Sequence, residues 1–249
     1  MALLDLLNSI GWDRLLAMGS LVLVGACLQG VSGLGFAMFA SPLAALWFPE
    51  LVPGPMLVLS CPLALMTGMR DRRSIEWPMA RLALVGRVVG TGVAAVSLTL
   101  LSAQTLSVLF AVLILSGVGL SLSGWRVMPT LRNTTIAGLA SGVMGTITSV
   151  GAPPFAIAMQ HMPADRLRGT FGAIFFIGSA VSIAALTAVG RMGAHEFLIS
   201  LILMPWMLAG FLVSGLLKGR VPAARVRALL LGMAGLGALG ILARVLTGH

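Results

Sequence analysis

The chain has 249 residues, of which 58% are hydrophobic and only 9% charged, and its mean hydropathy is +1.04. A soluble domain carries about 25% charged residues to solvate its surface, so this composition excludes one. The net charge of +9 sits mostly in short loops between apolar runs, where Lys and Arg set membrane orientation; it is not a nucleic-acid footprint, and no nucleic-acid partner is expected.

In chain order, residues 1–10 carry no basic n-region and include Asp5, so no cleavable leader is expected. Apolar segments follow at 15–48, 51–69, 79–101, 104–123, 134–160, 169–190, 197–217 and 226–246. Most are long enough to cross a bilayer, which needs about 20 residues. The first is interrupted by Gly30-Val31-Ser32-Gly33-Leu34-Gly35 and the fifth around residues 142–154. Connections are short, so the expectation is a single membrane domain over 1–249, an all-α polytopic helix bundle in contact with the lipid bilayer. Cys27 and Cys61 lie inside apolar segments, which argues against a disulfide framework.

An internal repeat is visible at a displacement of 112 residues. Gly30-Val31-Ser32-Gly33 then falls on Gly142-Val143-Met144-Gly145, Ala40-Ser41-Pro42 on Ala152-Pro153-Pro154, and Ala44 on Ala156, which makes six identities in fifteen positions. The expected halves are 15–123 and 134–246, each opening on an interrupted segment. The basic residues suggest how each half is threaded. If both interrupted segments cross once, nine Lys and Arg fall on one side and six on the other. If both turn back as helix–break–helix hairpins, Arg70, Arg72, Arg73, Arg81, Arg126, Arg132, Arg166, Arg168, Lys218, Arg220, Arg225 and Arg227 share one face, against Arg14, Arg191 and Arg244. Twelve against three is a positive-inside pattern, and it makes the halves inverted with both termini periplasmic.

Breaking a helix inside a membrane frees backbone N–H and C=O groups that lipid cannot satisfy, so such a break persists where protein, water or a ligand meets them. Matching breaks in two halves are the sequence pointer to a transporter's binding site, and half-helix N-termini favour anions. The candidate substrate-binding residues are therefore Gln29, Gly30, Ser32, Gly33, Gly35 and Ser41 in the first half, and Gly142, Gly145, Thr146, Thr148, Ser149 and Gly151 in the second. The competing reading is helix packing through small residues, with Gly86-x-x-x-Gly90, Gly138-x-x-x-Gly142 and Gly215-x-x-x-Gly219 as its motifs. Arg87 is the remaining candidate: it stands deep in an apolar segment with no intramembrane carboxylate, so either a bound anion meets its charge or its side chain reaches the interface. Asp71 and Glu76 are the acids nearest in sequence. His161 and His195 read as interfacial or solvated, and the fifteen methionines as packing. No G-x-S-x-G, P-loop, H-E-x-x-H or C-x-x-C pattern occurs, so no enzyme activity, cofactor or metal is expected.

The stretch Gly30-Val31-Ser32-Gly33-Leu34-Gly35-Phe36 followed by Ser41-Pro42, with Gly142 to Gly151 and Pro153-Pro154 in the second half, resembles the TauE/SafE family, also called the 4-toluene sulfonate uptake permease family. The resemblance covers essentially the whole chain. It implies a multi-pass permease of the bacterial inner membrane for sulfur-containing anions such as sulfite, sulfoacetate or other organosulfonates, driven by the electrochemical gradient. Many relatives carry Gly-Gly-Pro where this chain has Gly151-Ala152-Pro153. Two alternatives stand beside the carrier: an anion channel of the same architecture, and a carrier for a small organic anion without sulfur.

Overall fold

The computed structural model describes residues 10–124, 127–128, 130–217, 220 and 222–247. Asp5, Arg126, Lys218 and Gly219, singled out above, lie outside these residues. The described residues form ten α-helices and no strand: α1 Trp12–Ser32, α2 Phe36–Trp47, α3 Gly54–Arg70, α4 Trp77–Leu100, α5 Ala103–Leu122, α6 Leu131–Thr148, α7 Ala152–Ala158, α8 Ala164–Ala188, α9 Ala194–Leu217 and α10 Ala223–Thr247. Six of them (α1, α4, α5, α8, α9 and α10) are long and apolar enough to cross a membrane.

Both interrupted segments resolve into two helices, and local chemistry explains where each stops. At the end of α1, Gly33 takes a left-handed conformation (φ 81°), and its N–H caps the carbonyl of Gln29 at 2.7 Å. The hydroxyl of Ser32 folds back onto the carbonyls of Leu28 and Leu34. At the end of α6 the same job falls to Thr148, which donates to the carbonyl of Met144 at 2.7 Å and accepts from the N–H of Val150 at 3.0 Å. Ser149 then takes the left-handed conformation (φ 63°) that Gly33 takes after α1. The breaks are thus 33–35 and 149–151, narrower than the sequence suggests, with Gly30 and Gly142 inside continuous helix. The two helix ends lie 116 residues apart, four more than the displacement that best aligns the glycines.

Helices pair as α1 with α9, α4 with α6, α3 with α8 and α5 with α10. The α4–α6 pair is the closest, and glycines make it so. A Cβ on Gly86 or Gly90 would strike the backbone of Thr135 or Leu139, and a Cβ on Gly138 or Gly142 would strike the backbone of Ala83 or Arg87. Here the G-x-x-x-G motifs act as packing motifs, letting two backbones approach within van der Waals contact. Gly215, by contrast, meets nothing within 4 Å. Between α7 and α8, Phe155, Phe171 and Phe175 pack ring to ring with centroids 5.6 to 6.2 Å apart.

The loops are tied together at two ends. At one, Arg14 pairs with Glu50 at 2.6 Å, and Arg244 donates to the carbonyl of Leu46 at 2.9 Å. At the other, Arg168 pairs with Asp71 at 2.8 Å and Arg166 with Glu76 at 2.7 Å, while Ser74 donates to Asp165.

Candidate functional site

Arg87 stands ten residues into α4, which at about 1.5 Å per residue is roughly 15 Å from the helix start and near the middle of an apolar core some 30 Å thick. It is 2% exposed and the largest fully buried side chain among the described residues, so it does not snorkel to the interface. Nor do the nearby acids reach it: Asp71 and Glu76 are engaged by Arg168 and Arg166, and among the described residues no ion pair involves Arg87.

Three glycines make the space for its head group. A Cβ on Gly178 of α8 would fall on Nε, one on Gly151 would lie 2.8 Å from one terminal nitrogen, and one on Gly145 would lie 3.1 Å from the other. Ser141 orients the guanidinium, accepting from Nη1 at 2.7 Å and donating onward to the carbonyl of Gly151 at 2.6 Å. The ring of Phe175 lies 5.2 Å from the guanidinium carbon. Nε has no hydrogen-bond partner among the described residues. A cation taken out of water with so little compensation costs several kcal/mol unless something else meets its charge.

That something has room. Arg87 faces a cavity of about 40 Å³. Gln29 of α1 and Leu34 and Gly35 of the first break line it on one side, and Ser149, Val150 and Gly151 of the second break on the other. Ser60 and Ala64 of α3 and Phe175 and Ser179 of α8 close the sides. Of the residues the sequence singles out, Gln29, Gly35, Arg87, Ser149 and Gly151 therefore share one chamber. Gly145 sits behind the guanidinium rather than on the cavity wall.

The others have different surroundings. Gly30 lies against Ser214, Gly33 under the side chain of Arg168, and Gly142 against the backbone of Arg87. Thr146 joins Thr91 and Ser182 in a buried hydroxyl cluster one helical turn beyond Arg87. Thr148 is consumed in capping α6. Ser41 is fully buried, its hydroxyl without a hydrogen-bond partner among the described residues, but it does not line the chamber. Ser32 opens instead onto a second cavity of about 270 Å³, with Ser121, Gln160, Leu167 and Arg227.

The sequence reading missed Ser60, Ser141, Phe175, Gly178 and Ser179. Gly178 and Ser179 left a trace, a pair of small residues in the middle of a long apolar helix. Ser60 and Ser141 left none, because a single serine in a membrane helix commonly back-bonds to its own turn, as Ser60 also does to Met56. Cys27 and Cys61 are free and half-buried, and neither lines the chamber.

Two hydroxyl-capped helix ends thus stand on either side of one buried arginine. The family model described as "Sulfite exporter TauE/SafE" matches residues 17–241. The chain belongs to the TauE/SafE family. This is a family of membrane transporters, in agreement with the six membrane-length helices. No curated protein and no solved structure matches this TauE/SafE chain. The matched span takes in both breaks, Arg87 and all the chamber-lining residues of this TauE/SafE member.

Proposed function

We propose that the chain is a secondary transporter of compact sulfur oxyanions, which bind in the Arg87 chamber between the two helix breaks. The observation that carries the reading is a guanidinium 2% exposed, with an unpartnered Nε and no carboxylate in ion-pairing range among the described residues. A bound oxyanion supplies the missing charge, and a guanidinium grips it through paired hydrogen bonds. The polar side chains around it, from Gln29, Ser60, Ser149 and Ser179, are all neutral. The hydroxyls of Ser60 and Ser149 donate to the carbonyls of Met56 and Pro53, so the amide of Gln29 and the hydroxyl of Ser179 are the donors assigned to the ligand. Neutral groups suit a ligand that must also leave. The cavity's 40 Å³ holds about three water-sized spheres, which suits a sulfite ion or the sulfonate head of a larger molecule.

The same proposal includes two inverted halves, 15–123 and 134–246. Exchange of the halves at a displacement of 116 residues turns the α1–α9 pair into the α6–α4 pair and leaves the α3–α8 and α5–α10 pairs unchanged, as a pseudo-twofold axis requires. The Arg14–Glu50 pair and the Arg244–Leu46 bond support a first segment that enters and returns to one face. The Arg-rich opposite face is then cytoplasmic in an inner membrane. Cysteines replacing Arg72 and Arg225, both exposed, are expected to react with an impermeant thiol reagent from the same, cytoplasmic, side. Reaction from opposite sides would rule out the inverted arrangement.

The functional test is a flux screen in proteoliposomes over sulfite, sulfate, thiosulfate, sulfoacetate, taurine and lactate. Saturable uptake with counter-transport, selective for sulfite or a sulfonate, is the expected result. Conductance without saturation would make the protein a channel, and selectivity for lactate would remove sulfur from the reading.

A further inference from the structure

The 40 Å³ chamber and the 270 Å³ cavity are separate spaces that share one wall. Leu34, Met38 and Ala152 line both, so these side chains stand between the two. The outer cavity belongs to the Arg-rich end, since Leu167 lines it next to the Arg168–Asp71 pair and Arg227 lines it directly. Arg227 is exposed and held in place there by a 2.7 Å hydrogen bond to the carbonyl of Ser121.

Leu34 differs from the other two members of the wall in how it is mounted. It is the central residue of the first break, between Gly33 at φ 81° and Gly35 at φ 133°, both positive values that only glycine tolerates readily. It lies outside both helices, its backbone tied to the hydroxyl of Ser32, which accepts from its N–H at 3.4 Å and donates to its carbonyl. Met38 and Ala152, by contrast, are built into α2 and α7. Leu34 is half-buried, whereas its counterpart in the second break, Val150, is 2% exposed. On Val150's side the chamber is sealed differently: Ser149 donates to the carbonyl of Pro53 at 3.1 Å, and Pro53 lines a third cavity that shares no residue with the chamber.

We infer that Leu34 is the gate between the oxyanion chamber and an outer vestibule on the Arg-rich face. Its swing on the two flanking glycines opens the shared wall while the bundle stays intact. Arg227 stands at the vestibule as the cation that gathers anions before they pass. The inference rests on the chamber being the substrate site, but the gate itself is a statement about access and is measurable without any substrate.

The test uses the full-length protein in oriented membrane vesicles, with Cys27 and Cys61 replaced by serine and a single cysteine placed in the chamber as Ser60→Cys. The probe is the impermeant, sulfonate-bearing reagent 2-sulfonatoethyl methanethiosulfonate, applied from each side in turn. A closed gate whose open form is populated at the level of a few per cent gains about tenfold or more in access when the plug is removed. Leu34→Ala is therefore expected to speed labelling from the Arg-rich side about tenfold, and Leu34→Phe to slow it, with labelling from the opposite side unchanged by either. Equal rates for all three versions from the Arg-rich side would overturn the gate, as would labelling that arrives only from the opposite side. Met38→Ala serves as the second variant: an acceleration there without one for Leu34→Ala also assigns the gate elsewhere and overturns it. Added sulfoacetate, which unlike sulfite attacks neither the thiosulfonate nor the disulfide it forms, separates the two ideas. Acceleration by Leu34→Ala that sulfoacetate does not slow supports the gate while removing the oxyanion reading of the chamber; labelling that sulfoacetate slows but Leu34→Ala leaves unchanged overturns the gate alone.

Discussion

Arg87→Met is expected to reduce oxyanion transport by roughly a hundredfold or more while leaving the protein folded and at least as stable as the parent. The two halves of that expectation come from the same observation. Removing one member of a buried, hydrogen-bonded charge pair costs about 2 to 5 kcal/mol of binding, which is some thirtyfold to several thousandfold in affinity. Among the described residues, however, Arg87 has no ionic partner to lose; its guanidinium makes a hydrogen bond to Ser141 and lies near the ring of Phe175. An apolar side chain of similar length relieves a desolvated charge, and such replacements are often neutral or stabilising. Arg87→Lys keeps the charge but offers a point donor in place of a fork, so it should retain more transport than Arg87→Met and less than the parent. Thermal unfolding in detergent supplies the check. Ligand that binds only the folded protein raises its apparent stability, so sulfite at many times its Kd should stabilise the parent and not Arg87→Met. A purely structural arginine gives the reverse pattern, with stability lost and the sulfite response retained in whatever remains folded.

How much of this was legible beforehand follows from which forces write into sequence. Membrane residence and helix content are dictated by composition, because a bilayer demands long apolar runs with internally satisfied backbones, and the six membrane-length helices follow. The two breaks were legible because glycine and proline in an apolar run are costly without a purpose. Their limits were not, because the helix stops through a hydroxyl at its last residue: Ser32 and Thr148 are ordinary membrane residues until their hydrogen bonds are seen. Arg87 announced itself by depth alone. Its surroundings did not, since Ser141, Phe175 and Gly178 come from helices far apart in sequence and matter only through where they cross α4. Gly142 shows the opposite error. It shares the motif of the break, yet it sits inside α6 against the backbone of α4, where it serves approach rather than binding.

That distinction among glycines gives the second large effect. Gly178→Ala and Gly142→Ala both add one methyl group beside Arg87, and they are expected to fail in different ways. At Gly178 the new Cβ falls on the Nε end of the Arg87 side chain, whereas at Gly142 it falls on the main-chain oxygen of Arg87 and lies 2.9 Å from the amide of Thr91. A side chain can move aside and a helix backbone cannot without separating α4 from α6. Gly178→Ala should therefore leave stability near that of the parent, helped by alanine's helix preference of about 1 kcal/mol. It should pull the guanidinium from Ser141 and from the chamber, and losing charge-assisted hydrogen bonds of about 1.5 to 3 kcal/mol lowers transport some ten- to hundredfold. Gly142→Ala should instead lower the unfolding temperature, since overpacking a tight contact costs about 1 to 3 kcal/mol, and transport should fall with the folded fraction. Transport per folded molecule separates the two: it drops for Gly178→Ala and stays near the parent's for Gly142→Ala. Normal transport in Gly178→Ala would mean that the guanidinium works equally well from a displaced position, and the glycine-walled cradle would then lose its functional meaning.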